Sequence, residues 1–207
     1  MVVVLATGLA MPFLAVLTAL ALLVPPAAHA ATAAATTVPS AAVPASAPLA
    51  ATEPPPRRTL VLAEAAATYT LAGQWDVLLD ADGTLDIAAV ASPAQAQRFA
   101  PLPGNLSLGY GREVVWLRFA VQRTPGVPAQ WWLAAQPPFL QNLTLFSPQA
   151  QGGFVVTRAG ALVPLSERLL PAREPVFTVQ PGTAPAYHYL RLATTTTRTL
   201  SVSLQTA

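Results

Sequence analysis

Beyond residue 57 the chain alternates short apolar runs with Gly, Pro and Asp turns, and apolar residues rarely recur at helical spacing. The runs are Thr68 to Leu71, Trp75 to Leu79, Val114 to Val121, Trp131 to Ala135, Asn142 to Phe146, Phe154 to Thr157, Val176 to Val179, Tyr187 to Leu192 and Leu200 to Leu204. Their Val, Leu, Phe, Trp and Tyr content predicts strands. Nine such runs without βαβ alternation predict an all-β fold, a two-sheet antiparallel sandwich or jelly roll. Asp82-Gly83, between Val77-Leu78-Leu79 and Leu85, predicts a tight hairpin turn, and Pro137-Pro138 and Pro181-Gly182 break runs that would otherwise continue. Only Ser92 to Phe99 reads as helical. There the Ser92 side chain is expected to cap a short helix that opens with Pro93.

The beginning of the chain has a different texture. Val2 to Val24 carries no charged side chain and leads through Pro25-Pro26 to the small-x-small triplet Ala28-His29-Ala30, which predicts a secretory signal cleaved after Ala30. No Lys or Arg precedes the apolar run, and about twenty apolar residues also suffice for an uncleaved anchor. Either device delivers the chain across a membrane. Ala31 to about residue 57 is Ala, Thr, Pro and Ser with one acid, Glu53, too small and too polar to build a core. Its prolines favour a semi-rigid extended tether. The expected organisation is a leader at 1–30, a disordered linker at 31–57 and a β-sandwich at 58–207.

Charge and composition narrow the function. Eleven Arg and no Lys stand against nine acids, a net +2, and the Arg residues are spread from Arg57 to Arg198. No cluster can neutralise a row of phosphates, so nucleic-acid binding is set aside. The absence of Cys removes disulfides, thiolate nucleophiles and Cys-based zinc sites.

One ordered set of motifs resembles a known family. Leu106-Ser107-Leu108-Gly109-Tyr110 is followed by Trp116-Leu117-Arg118-Phe119, then by Trp132-Leu133, Pro138-Phe139-Leu140-Gln141-Asn142-Leu143 and Leu145-Phe146. Pro164-Leu165-Ser166-Glu167-Arg168, Pro175-Val176-Phe177 and Tyr189-Leu190-Arg191 complete it, and Trp75 to Leu85 fits an opening hairpin. Together these resemble the type 2 extracellular domain of seven-transmembrane receptors with diverse intracellular signalling modules. The resemblance implies a jelly roll similar to carbohydrate-binding modules, on the periplasmic side of the bacterial inner membrane. It also implies two partners outside this chain, a seven-helix membrane region and a cytoplasmic diguanylate cyclase or histidine kinase. A receptor fragment whose ligand is a small carbohydrate or carboxylate is the leading expectation. The alternative is a free-standing periplasmic carbohydrate-binding or adhesion module.

Strand alternation sorts the motifs by face, since side chains two apart point the same way. Val115, Leu117, Phe119 and Val121 form an apolar core row, and the opposite row sets Trp116 beside Arg118. Tyr187, Tyr189 and Arg191 form a similar row, with His188, Leu190 and Leu192 opposite. Tyr110, Trp116, Arg118, Tyr189 and Arg191 are therefore the candidate ligand residues, rings packing on an apolar ligand face while the Arg forks orient a hydroxyl or carboxylate. The competing role for the same residues is structural stacking in a buried second face. Of Trp131 and Trp132, one is expected in the core and the other outside it.

No catalytic role, cofactor or metal is expected. His188 falls on an apolar row, no Gly-x-Ser-x-Gly elbow is present, and nothing pairs two carboxylates across a cleft. Asp80-Ala81-Asp82-Gly83 with Asp86 has a faint calcium-loop look but lacks the closing Glu, and a turn accounts for it.

Overall fold

The computed structural model describes residues 56–65 and 67–207, so the leader and all of the linker before residue 56 lie outside the described residues. In chain order the strands are β1 (Leu60–Leu62), β2 (Tyr69–Thr70), β3 (Trp75–Asp80), β4 (Ala100–Leu102), β5 (Leu106–Ser107) and β6 (Val114–Arg123). There follow β7 (Trp131–Gln136), β8 (Asn142–Pro148), β9 (Phe154–Ala159), β10 (Val176–Val179), β11 (Ala186–Ala193) and β12 (Thr199–Thr206). Two single-turn helices, α1 (Ile87–Val90) and α2 (Pro93–Ala96), lie between β3 and β4. Each of the nine predicted runs contains a strand; β1, β4 and β5 are additional and only two or three residues long.

One sheet runs β4-β3-β6-β11-β8-β9, with β1 parallel to the end of β6; the other runs β10-β7-β12-β2, with β5 beside β12. Numbering β2 and then β6 to β12 as one to eight, the sheets read 2-7-4-5 and 6-3-8-1. That is the strand order of a jelly roll, so the predicted sandwich is formed.

The longest strand, β6, is a run of β-branched and aromatic residues buried on both faces from Val114 to Val121. Its Val115, Leu117, Phe119 and Val121 row points between the sheets, where it meets Leu133, Phe177, Leu190 and Leu204. Burial of such side chains is worth about 1.5–3 kcal/mol each before entropy is charged. On the outer face of the same sheet lies a second core of Leu78, Val90, Phe99, Trp116, Phe146 and Tyr189, roofed by residues of the α1–α2 segment. Trp131 is the core member of its pair and Trp132 is half-buried on the outside of the second sheet.

Two local expectations are corrected. Asp82-Gly83 does not close a tight hairpin: the Asp80 carboxylate accepts the Gly83 and Leu85 N–H groups at 3.0 Å each, and Asp86 accepts the Ala89 N–H at 2.8 Å to start α1. The chain therefore leaves the sheet, and β4 returns to β3 only after both helices. Ser92 stands at the helix N-cap, but its side chain makes no capping bond. Its carbonyl accepts from Gln95 and Ala96 instead.

After β9 the chain turns at Gly160 into a long loop that ends at β10. Gly160 has φ +124°, and a Cβ there would fall 2.3 Å from the Gln141 carbonyl oxygen. Gly160→Ala is expected to destabilise the domain by about 1–3 kcal/mol through backbone strain, seen as a lower urea midpoint. An unchanged midpoint would show that the turn yields.

Candidate functional site

The predicted ligand row is assembled as a row but is not an open face. Trp116, Arg118 and Tyr189 are 1%, 3% and 0% exposed, covered by Phe99, Phe146 and the rings of Tyr187 and Phe154. The Arg118 guanidinium lies between two aromatic faces, 4.3 Å from the Phe99 centroid and 4.7 Å from that of Tyr187. Its Nε donates to Asp76 at 3.1 Å and its Nη2 to the Ala96 carbonyl at 3.3 Å, tying α2 to the sheet. Asp76 also accepts from Arg58 at 3.0 Å. Cation, rings and carboxylate thus satisfy one another inside the protein. Arg191 is half-buried, with its guanidinium 5.9 Å from the Trp116 ring. His188 packs on the Phe119 ring at 5.3 Å, and burial pushes its pKa down to about 4, so it is neutral at pH 7.

Tyr110 lies apart from this cluster, 78% exposed on the loop between β5 and β6. That loop is wrapped around Arg198, which donates to the carbonyls of Leu108 and Tyr110 at 3.3 and 3.1 Å and pairs with Glu113 at 2.6 Å. The backbone N–H of Glu113 and the charge of Arg198 hold the Glu113 carboxyl below its ordinary pKa. A Cβ on Gly111 would fall 2.1 Å from Arg198 Nη2, so the glycine admits the guanidinium. Sequence reasoning missed Gly111 and Arg198, and the glycines flanking Tyr110 were the available signal.

An open site lies elsewhere, where the two sheets part along β9 and β10. A cavity of about 480 Å³ is lined by Val156, Thr157, Arg158, Val176, Phe177 and Thr178, with Glu167 and Leu169 contributed by the connecting loop. A second compartment of about 440 Å³ shares Thr157 and Thr178 and adds Ser147, Gln149, Gln151, Val155 and Gln180. Both volumes are in the range of small-molecule sites. β10 beside the cleft is only four residues long, and Val155 at the start of β9 is 46% exposed. Thr157 Oγ1, on the shared wall, is buried and makes no hydrogen bond. None of these residues was predicted as a site, since their strands carry ordinary apolar alternation and the walls of the cleft come from two strands and the loop between them.

Among the described residues no helix is long and apolar enough to cross a membrane. An isomalto-dextranase of Arthrobacter globiformis T6, solved with panose, aligns at 13% identity and a TM-score of 0.31, over 66% of this chain and 22% of its own. No curated protein matches the chain. The family model of the 7TMR-DISM extracellular 2 domain, however, matches residues 72–206, from the turn before β3 through the last strand. A jelly roll of which every strand but β1 and β2 lies within that match identifies the chain as a member of the 7TMR-DISM extracellular 2 family, an extracellular domain of seven-transmembrane receptors.

Proposed function

We propose that this domain is the periplasmic ligand-sensing input of a bacterial seven-transmembrane signalling receptor, with a diguanylate cyclase or histidine kinase as its cytoplasmic output. The ligand enters the cleft between β9 and β10, and no catalytic role is assigned. The carrying observation is the pair of adjoining compartments of about 480 and 440 Å³ along β9 and β10, which share Thr157 and Thr178 and set polar and charged side chains beside apolar walls. In this reading Trp116, Arg118 and Tyr189 are the scaffold, Arg191 its rim, and Tyr110 an exposed loop residue outside the site.

The cleft is also placed to transmit. β10 pairs with β7 and β7 with β12, so an occupant that moves β10 acts two strands from the last strand, the one leading toward the membrane region of a receptor. Chemical-shift mapping with a panel of small carboxylates, oligosaccharides and short peptides tests the site. Shifts are expected at residues 155–158 and 176–180. Shifts confined to Arg191 and the rim of the Trp116 row would return the ligand to the outer face of the first sheet.

A further inference from the structure

Resting on the cleft as the ligand site, we infer that its occupant is an extended peptide, held by its main chain along the free edge of β9 and flanked by β10. The lining shows what the cavity faces. A cavity over a sheet face is lined by every second residue of a strand, because neighbouring side chains point to opposite sides. Here three consecutive residues of each strand line it, Val156, Thr157 and Arg158 on one wall and Val176, Phe177 and Thr178 on the other. The cavity therefore lies against strand edges.

Among the described residues those edges are unpaired, β9 being bonded only to β8 and β10 only to β7. On β9 the direction of the free groups follows from the register. Gln149 N–H donates to the Gly153 carbonyl, and the next pair is Pro148 with Phe154, where Pro148 has no N–H to give. Alternation of bonded and non-bonded pairs then leaves the N–H and C=O of Val156 and Arg158 pointing away from β8 into the cleft. An edge of this kind is a template for another strand. Of the usual protective devices it carries one charge, Arg158, and no Pro inside β9 or β10.

The rest of the lining suits a peptide better than a sugar. Gln149, Gln151 and Gln180 offer amides, each both donor and acceptor, which match peptide groups. Val155, Val156 and Leu169, 46%, 49% and 52% exposed, provide apolar walls for alternate side chains. The aromatic in the lining, Phe177, is 1% exposed, so it presents no ring on which a sugar could stack.

A pool of capped hexapeptides with Val, Leu or Phe at alternate positions, titrated into the full chain alongside maltotriose, tests this by amide chemical shifts and hydrogen exchange. The peptides are expected to saturate, to slow exchange at the Val156 and Arg158 amides, and to lose at least tenfold in affinity when N-methylated at alternate positions. Val156→Pro, which removes an outward N–H and leaves the ladder to β8 intact, is expected to weaken binding similarly with an unchanged urea midpoint; if the variant unfolds, the N-methylated peptides carry the test alone. Peptides that bind equally well with and without N-methyl groups, or maltotriose occupying the cleft without slowing the two amides, would overturn the peptide assignment and leave the cleft as a ligand site. Absence of any shift in the cleft with either probe would overturn both.

Discussion

Replacing Asp76 with Ala is expected to lower the unfolding free energy by about 3–5 kcal/mol, the range for removing one partner of a buried ion pair. The carboxylate is 8% exposed and bonds Arg118, whose side chain is 3% exposed. Without it, the guanidinium keeps the Ala96 carbonyl and its aromatic neighbours but loses the group that neutralises it. Arg58, the other partner of Asp76, is 36% exposed, and Arg58→Ala is expected to cost about 0–1 kcal/mol through this pair because water takes over its charge. Arg118→Lys is expected to fall nearer the Asp76 variant, since an ammonium has neither the planar stacking surface nor the fork. Urea unfolding at pH 7 ranks the variants. An Asp76→Ala cost below about 1 kcal/mol, the range of an exposed pair, would mean that water reaches Arg118 and that the second core is open.

That second core marks the boundary of what was legible in the sequence. Alternation along β6 assigned Val115, Leu117, Phe119 and Val121 to one side and Trp116 and Arg118 to the other, and the structure keeps both rows. Period-two patterning reports which residues share a face, but not what covers that face. The cover comes from Val90 and Phe99, in a segment where the sequence pointed to a hairpin and one short helix. Asp80 and Asp86 divert the chain there by taking backbone N–H groups, a local event that Asp-Gly alone does not announce. The clasp of Arg198 on the loop at Tyr110 joins groups 88 residues apart and has no periodic trace. The β9–β10 cleft was hidden for a third reason: its walls come from two strands and the loop between them, and strand and loop boundaries are the least determined part of a sequence reading. The overall sandwich was readable because nine runs of strand texture all agree, whereas the site depends on two edges that meet only in three dimensions.

Lowering the pH from 7 to 4 is expected to remove about 3 kcal/mol of stability through His188 alone. Burial is the main cause of its depressed pKa, and a backbone hydrogen bond at Ala186 opposes it in part. The folded-state value of about 4 lies below the 6.5 of an unperturbed imidazole. Between these values the unfolded chain binds the proton and the folded one does not, so stability falls as acid is added. The contribution is complete above pH 6.5, is reduced by roughly 1 kcal/mol near pH 5.5, and is fully lost below about pH 4. Glu113 acts in the same direction, because its pKa is also lowered, but from a starting value of 4.5 and therefore in a more acidic window. The interval from pH 7 to 5.5 thus isolates the imidazole from that carboxylate. His188→Phe, which keeps an aromatic ring against Phe119, is expected to show a flat urea midpoint across that interval while the parent falls. Parallel slopes for the two would show that His188 takes up its proton in the folded state, and that the interior beside Phe119 admits the charge.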